Sequence, residues 1–132
     1  MNRRQRLAFA FVSFALLVLF TIGVTRIVMD PLRKSPEQIT TSFRQLTPLG
    51  TSYDEAAKLL SEKGLNPELS PQVGFLFQER GVSAVKGISS IRALLGEYKS
   101  GILSITSVSV YFGFDVNGLL TEIWVRKTSD SL

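Results

Sequence analysis

Residues 105–127, ITSVSVYFGFDVNGLLTEIWVRK, decide the fold. Val108, Val110, Phe112 and Phe114 alternate with Ser107, Ser109 and Tyr111, which is the period of a strand with one buried face. Asp115-Val116-Asn117-Gly118 is a turn, with Asn117 and Gly118 expected to supply the positive φ angles of a tight hairpin. The chain returns as a partner strand over residues 119–127. A two-residue turn sets Phe112 opposite Ile123, Val110 opposite Val125 and Tyr111 opposite Trp124. The apolar pairs then share one face, and Tyr111, Trp124 and Arg126 share the other.

Two strands alone are marginal in water, so this hairpin needs further layers. Residues 52–63 supply one. Ser52 is a helix cap, Glu55 stands three residues on, and Ala56, Leu59 and Leu60 form an apolar face. Gly64 stops the helix, with Leu65 as the apolar residue beyond it. Residues 73–80 read as a strand that ends at Gly81 and pairs with the later hairpin. Ser89 or Ser90 is expected to cap a second helix, on which Ile91, Leu94, Leu95 and Tyr98 share a face. The fold class is α+β, with helices packed on an antiparallel sheet over residues 50–132. Residues 30–49, interrupted by Pro31, Pro36 and Pro48, read as a tether. Within it Ile39, Phe43 and Leu46 stand at helical spacing and dock the tether onto the domain.

Residues 7–25, LAFAFVSFALLVLFTIGVT, carry no charge. As a helix they reach about 30 Å, the thickness of a bilayer's hydrocarbon core. Residues 1–29 are therefore expected to be an N-terminal membrane anchor, with the span at about 7–28. A cleaved signal peptide has a shorter apolar run and a small-x-small site, for which Thr21-Ile22-Gly23 is a poor match. Arg3, Arg4 and Arg6 precede the run, the arrangement of a signal anchor with a cytoplasmic N-terminus. The domain would then lie in the periplasm of a bacterium, at the inner membrane. A lipid bilayer is thus one expected partner.

The net charge of +4 does not point to nucleic acid, because Arg3, Arg4, Arg6 and Arg26 account for it and the chain from Asp30 onward is balanced. Neither cysteine nor histidine occurs. That excludes disulfides, thiolate zinc sites, a lipid-bearing cysteine and the commonest general base. No cofactor, metal or small-molecule substrate is expected.

Gly50-Thr51-Ser52, the helix ending at Gly64, and the Phe114, Asn117, Gly118, Leu120 hairpin form a series over residues 50–126. It resembles the small periplasmic domains of the BamE (SmpA) outer-membrane-assembly lipoproteins, which share a fold with β-lactamase-inhibitor proteins. The tail, residues 113–128, also resembles small, uncharacterised bacterial membrane proteins. The resemblance implies a non-enzymatic interaction module of the cell envelope. Lacking the lipobox cysteine, this chain would sit in the inner membrane. Its second helix between residues 81 and 101 is a further difference, since those domains carry only a strand connection there.

No catalytic residue is assigned. Asp54 and Glu55 sit in a helix's first turn, where acids offset the dipole, and Asp115 bonds its own turn. Ser83-Ala84-Val85-Lys86 has the Ser-x-x-Lys spacing without the partner motifs of penicillin-binding enzymes, and reads as polar loop. Tyr111, Trp124 and Arg126 have the composition of an interface hot spot, and are the candidate partner-binding residues. The expected role is a membrane-anchored envelope interaction or scaffold protein. The alternatives are a carboxylate-based cell-wall hydrolase, needing two acids that face one cleft, and an immunity- or inhibitor-type protein.

Overall fold

The computed structural model describes residues 31–131. The expected anchor, residues 1–29, lies outside the described residues. Among the described residues no helix is long and apolar enough to cross a membrane.

A 3-10 turn, Pro31–Arg33, leads into two helices, α1 (Pro36–Leu46) and α2 (Tyr53–Glu62). Six strands follow: β1 (Glu68–Ser70), β2 (Phe75–Glu79), β3 (Val82–Lys86), β4 (Ser89–Gly101), β5 (Ser104–Phe114) and β6 (Leu120–Ser131). Four of them form an antiparallel sheet in the order β1-β4-β5-β6, and β2 pairs only with β3. The expected pairing of residues 73–80 with the late hairpin does not occur. Arg80 and Gly81, at φ 51° and 79°, instead turn β2 back into β3. These are the two left-handed positions of the tightest hairpin. The Ser-x-x-Lys segment is thereby strand, not loop.

Both helices cover one face of the sheet. Ile39 from α1 and Ala56 and Leu60 from α2 join Ile91, Ala93, Val110, Phe112, Phe114 and Val125 in a single core. Phe43 meets Phe112 edge-on at 5.7 Å, and Tyr53 meets Phe114 at 4.8 Å. Helix α1 starts in a full capping box, with Ser35 Oγ accepting from Gln38 N and Gln38 Oε1 accepting from Ser35 N. Residues 30–49 are therefore more than a tether, and the compact unit extends from Leu32. Proline at the first helical position supports a helix, which is why Pro36 did not break this one. Helix α2 matches its sequence signals: Ser52 Oγ accepts from Glu55 N, Gly64 takes φ 77°, and Leu65 N donates to Leu60 O.

The expected second helix at residues 89–101 is strand β4. Its pairing with β5 shifts between Leu94 and Gly96, which leaves Leu95 as an extra, bulged residue. Ile91 and Ala93 face the core before the bulge, and Leu95 and Tyr98 pack against it afterwards. A bulge changes the phase of an alternating pattern. Ile91, Leu95 and Tyr98 consequently stand four and three apart, the spacing of a helix face.

The β5–β6 register agrees with the sequence at Phe112–Ile123, Val110–Val125 and Tyr111–Trp124. The turn differs. Gly118 has φ 74° and Asn117 does not share the left-handed region. Asp115 Oδ1 accepts from Asn117 N at 2.9 Å and Leu119 N at 3.0 Å. The longer turn is offset by a register shift between Gly113 and Phe114 that skips Thr121, so the pairs beyond it fall as expected.

Tyr53 joins α2 to the sheet, its hydroxyl donating to Ser90 O at 3.0 Å. Burial raises the phenol's pKa above its ordinary 10.0; the backbone of Ser70 opposes this and the Asp54 charge adds to it. The folded protein thus keeps a proton that the unfolded chain releases. The resulting stability is fully present below about pH 10 and is lost as pH rises through the folded value. In urea titrations, the advantage of the native protein over Tyr53→Phe is expected to shrink between pH 9 and 11. A constant difference across that range would contradict the protonated, buried phenol.

Candidate functional site

The second face of the sheet carries the residues that the sequence singled out. Tyr111 and Trp124 are cross-strand neighbours, with ring centroids 5.2 Å apart. They are only partly open to solvent, because the β2–β3 hairpin lies over them. Phe75 stacks on Trp124 at 6.0 Å and approaches Tyr111 at 5.5 Å, while Phe77 meets Trp124 at 4.9 Å. This face of the sheet is thus covered by a β-hairpin.

The hairpin's fit depends on two glycines. A Cβ on Gly113 would stand 3.0 Å from the Phe75 ring, and one on Gly74 would strike the backbone oxygens of Lys86 and Gly87. Ser90 Oγ donates to Val73 O at 2.8 Å and pins the hairpin base. Three cations sit on the slab's aromatic rings: Arg126 over Trp124 at 5.9 Å, Arg92 over Tyr111 at 5.9 Å and Lys86 over Phe77 at 5.7 Å. Contacts of this kind add about 0.5–1 kcal/mol each where solvent reaches them.

Trp124 and Arg126 still reach an open groove of about 530 Å³. One wall is α1, through Glu37, Thr40 and Arg44. The opposite wall is the tip of β2, through Gln78 and Glu79. The floor is five successive residues of β6, from Ile123 to Lys127. β6 is the last strand of its sheet. Its start is occupied, since Leu120 N donates to Thr51 O and Leu120 O accepts from Gly50 N. Beyond Leu120 no strand pairs with its outer edge among the described residues. The groove therefore combines unpaired strand backbone, an aromatic edge and charges of both signs.

Compared with known protein families, curated proteins and solved structures, the chain matches none.

The geometry brings Tyr111, Trp124 and Arg126 together, and adds Arg44 and Glu79, which sequence reasoning missed. Arg44 lies between Phe43 and Leu46, whose helical spacing the sequence showed, but no local pattern placed it in a groove with Glu79; the capping box at Ser35 and Gln38 was the signal for where its helix starts. The other candidates stay apart. Ser83 and Lys86 are three apart on β3, which directs them to opposite faces. Asp54 and Glu55 are exposed in the first turn of α2, and Asp115 is engaged by its turn. No Asp or Glu among the described residues is buried, and no group of three or more metal-binding side chains converges among them. Glu37 and Glu79 do line one groove from opposite walls, but both are exposed to solvent.

Proposed function

We propose that this protein is a non-enzymatic interaction module of the bacterial envelope, anchored in the inner membrane by residues 1–29 with its domain in the periplasm. Its partner is an envelope protein that lays an extended segment along the outer edge of β6. The observation that carries this reading is the β6 edge, unpaired among the described residues, which forms the floor of the groove beside Trp124 and Arg126. An exposed strand edge is a ready template for a further strand: main-chain hydrogen bonds hold the segment, and flanking side chains select it. The cations Arg44, Arg126 and Lys127 and the acids Glu37 and Glu79 supply that selection. Tethering at a membrane raises local concentration, so a modest interface is enough. The uncharged run at residues 7–25 supports the anchor, and the BamE-like series at residues 50–126 supports an envelope role.

Trp124→Ala is a poor probe, because the ring also holds the hairpin in place. Photo-crosslinking amino acids at Arg44 and Arg126 in living cells are better, with Val116 on the β5–β6 turn as the control. The expected result is one adduct common to both groove positions and missing at Val116, mapping to an extended segment of an envelope protein. Equal labelling from all three positions, or none from the groove, would remove the reading.

A further inference from the structure

We propose that the β4–β5 hairpin tip, Ile102-Leu103, is a membrane-dipping element that enters the boundary between lipid headgroups and acyl chains. This inference rests on the anchor reading and adds to it which end of the domain meets the bilayer.

The first observation is the composition of the tip. Gly101 pairs with Ser104, so Ile102 and Leu103 alone make the turn. Two-residue hairpin turns favour Asn, Gly and Asp. This chain uses Arg80-Gly81 between β2 and β3, and a turn built on Asp115 and Gly118 between β5 and β6. At the β4–β5 tip it instead places two large aliphatics. Ile102 is 97% exposed and Leu103 66%, so neither contributes to the core.

The second observation is where the chain enters the domain. Leu32 packs onto Gly96, whose lack of a side chain leaves room for it. Arg33 donates to Lys99 O at 3.0 Å, and its guanidinium lies 4.8 Å over the Tyr98 ring. The segment arriving from residues 1–29 is thus fastened to the distal half of β4. Lys99 precedes the turn by three residues, a separation of no more than about 10 Å in a strand. The expected span ends near residue 28, and five further residues to Arg33 cover at most about 18 Å of extended chain. The tip therefore lies at the end of the domain where the chain enters it.

Charge around the tip suits the headgroup layer. Arg33, Lys34 and Lys99 are exposed near it, and Lys127 donates to Tyr98 Oη at 3.3 Å. Among the described residues Glu97 and Asp130 are the acids nearby; Glu97 accepts from Ser107 Oγ, and Asp130 lies opposite Ile105. Among these residues the cations outnumber the acids. Apolar side chains flanked by basic ones are the pattern of an interfacial membrane contact.

The chain has no cysteine, so a single label can be placed at will. Full-length protein would be reconstituted into vesicles containing anionic phosphatidylglycerol and doxyl-labelled lipid, with a nitrobenzoxadiazole dye on Ile102→Cys or Val116→Cys. Val116 is 78% exposed at the opposite end of β5. The expected result is blue-shifted emission at position 102 with several-fold stronger quenching by doxyl lipid than at 116. Adding Leu103→Asp should return position 102 to the behaviour of 116. Identical, water-like emission at both positions in protein that floats with the vesicles overturns the dipping tip and leaves the anchor intact. Failure of the full chain to float overturns the anchor reading itself, and the tip's role with it.

Discussion

Phe112→Ala is expected to lower the unfolding free energy by about 4 kcal/mol. The ring has no exposed surface and sits where both layers meet, with Ile91 and Ile123 as its strand neighbours and Phe43 edge-on from α1. Its removal loses buried apolar area and leaves a cavity that β4 and β6 cannot close without breaking their ladders. For a domain of this size that is a fall in melting temperature of roughly 15–30 °C. Calorimetry or urea unfolding measures it directly. A double-mutant cycle with Phe43→Ala should return a coupling of about 0.5–1.5 kcal/mol, the range for an edge-to-face pair. Strict additivity would mean that α1 does not pack on the sheet.

Gly74→Ala is expected to detach the β2–β3 hairpin from the sheet at a cost of about 2–4 kcal/mol. The added methyl would meet two backbone oxygens, those of Lys86 and Gly87, and backbone cannot rotate aside as a flexible side chain can. Opening the hairpin base draws Phe75 and Phe77 off Trp124. Trp124 is the single tryptophan of the chain, so its fluorescence reports the event without a label. Its emission should shift to the red while the far-ultraviolet signature of the four-stranded sheet persists. Unshifted emission with unchanged urea resistance would show that the hairpin base has more room than its geometry allows.

Helix α2 and the β5–β6 pair were legible because their signals are local. A serine cap and a glycine stop act within one helical turn, and strict alternation with period two leaves a single register that buries Val110, Phe112 and Val125 together. Strand β4 was misread for an equally local reason, the bulge at Leu95 that gives a strand the spacing of a helix. The candidate site was half legible. Tyr111, Trp124 and Arg126 follow from the register of one hairpin, whereas Arg44 and Glu79 arrive from elements far away in the chain.

From sequence alone came the uncharged run at residues 7–25, the absence of cysteine and histidine, the α2 helix, and which side chains of β5 and β6 share a face. Each depends on composition or on neighbours a few residues apart. Tertiary structure alone decided that β2 and β3 form their own hairpin above the Tyr111–Trp124 slab and that, among the described residues, no strand pairs with the outer edge of β6. Strand partners and layer contacts are chosen by competition among distant segments for the same apolar surface, and no local pattern records the outcome.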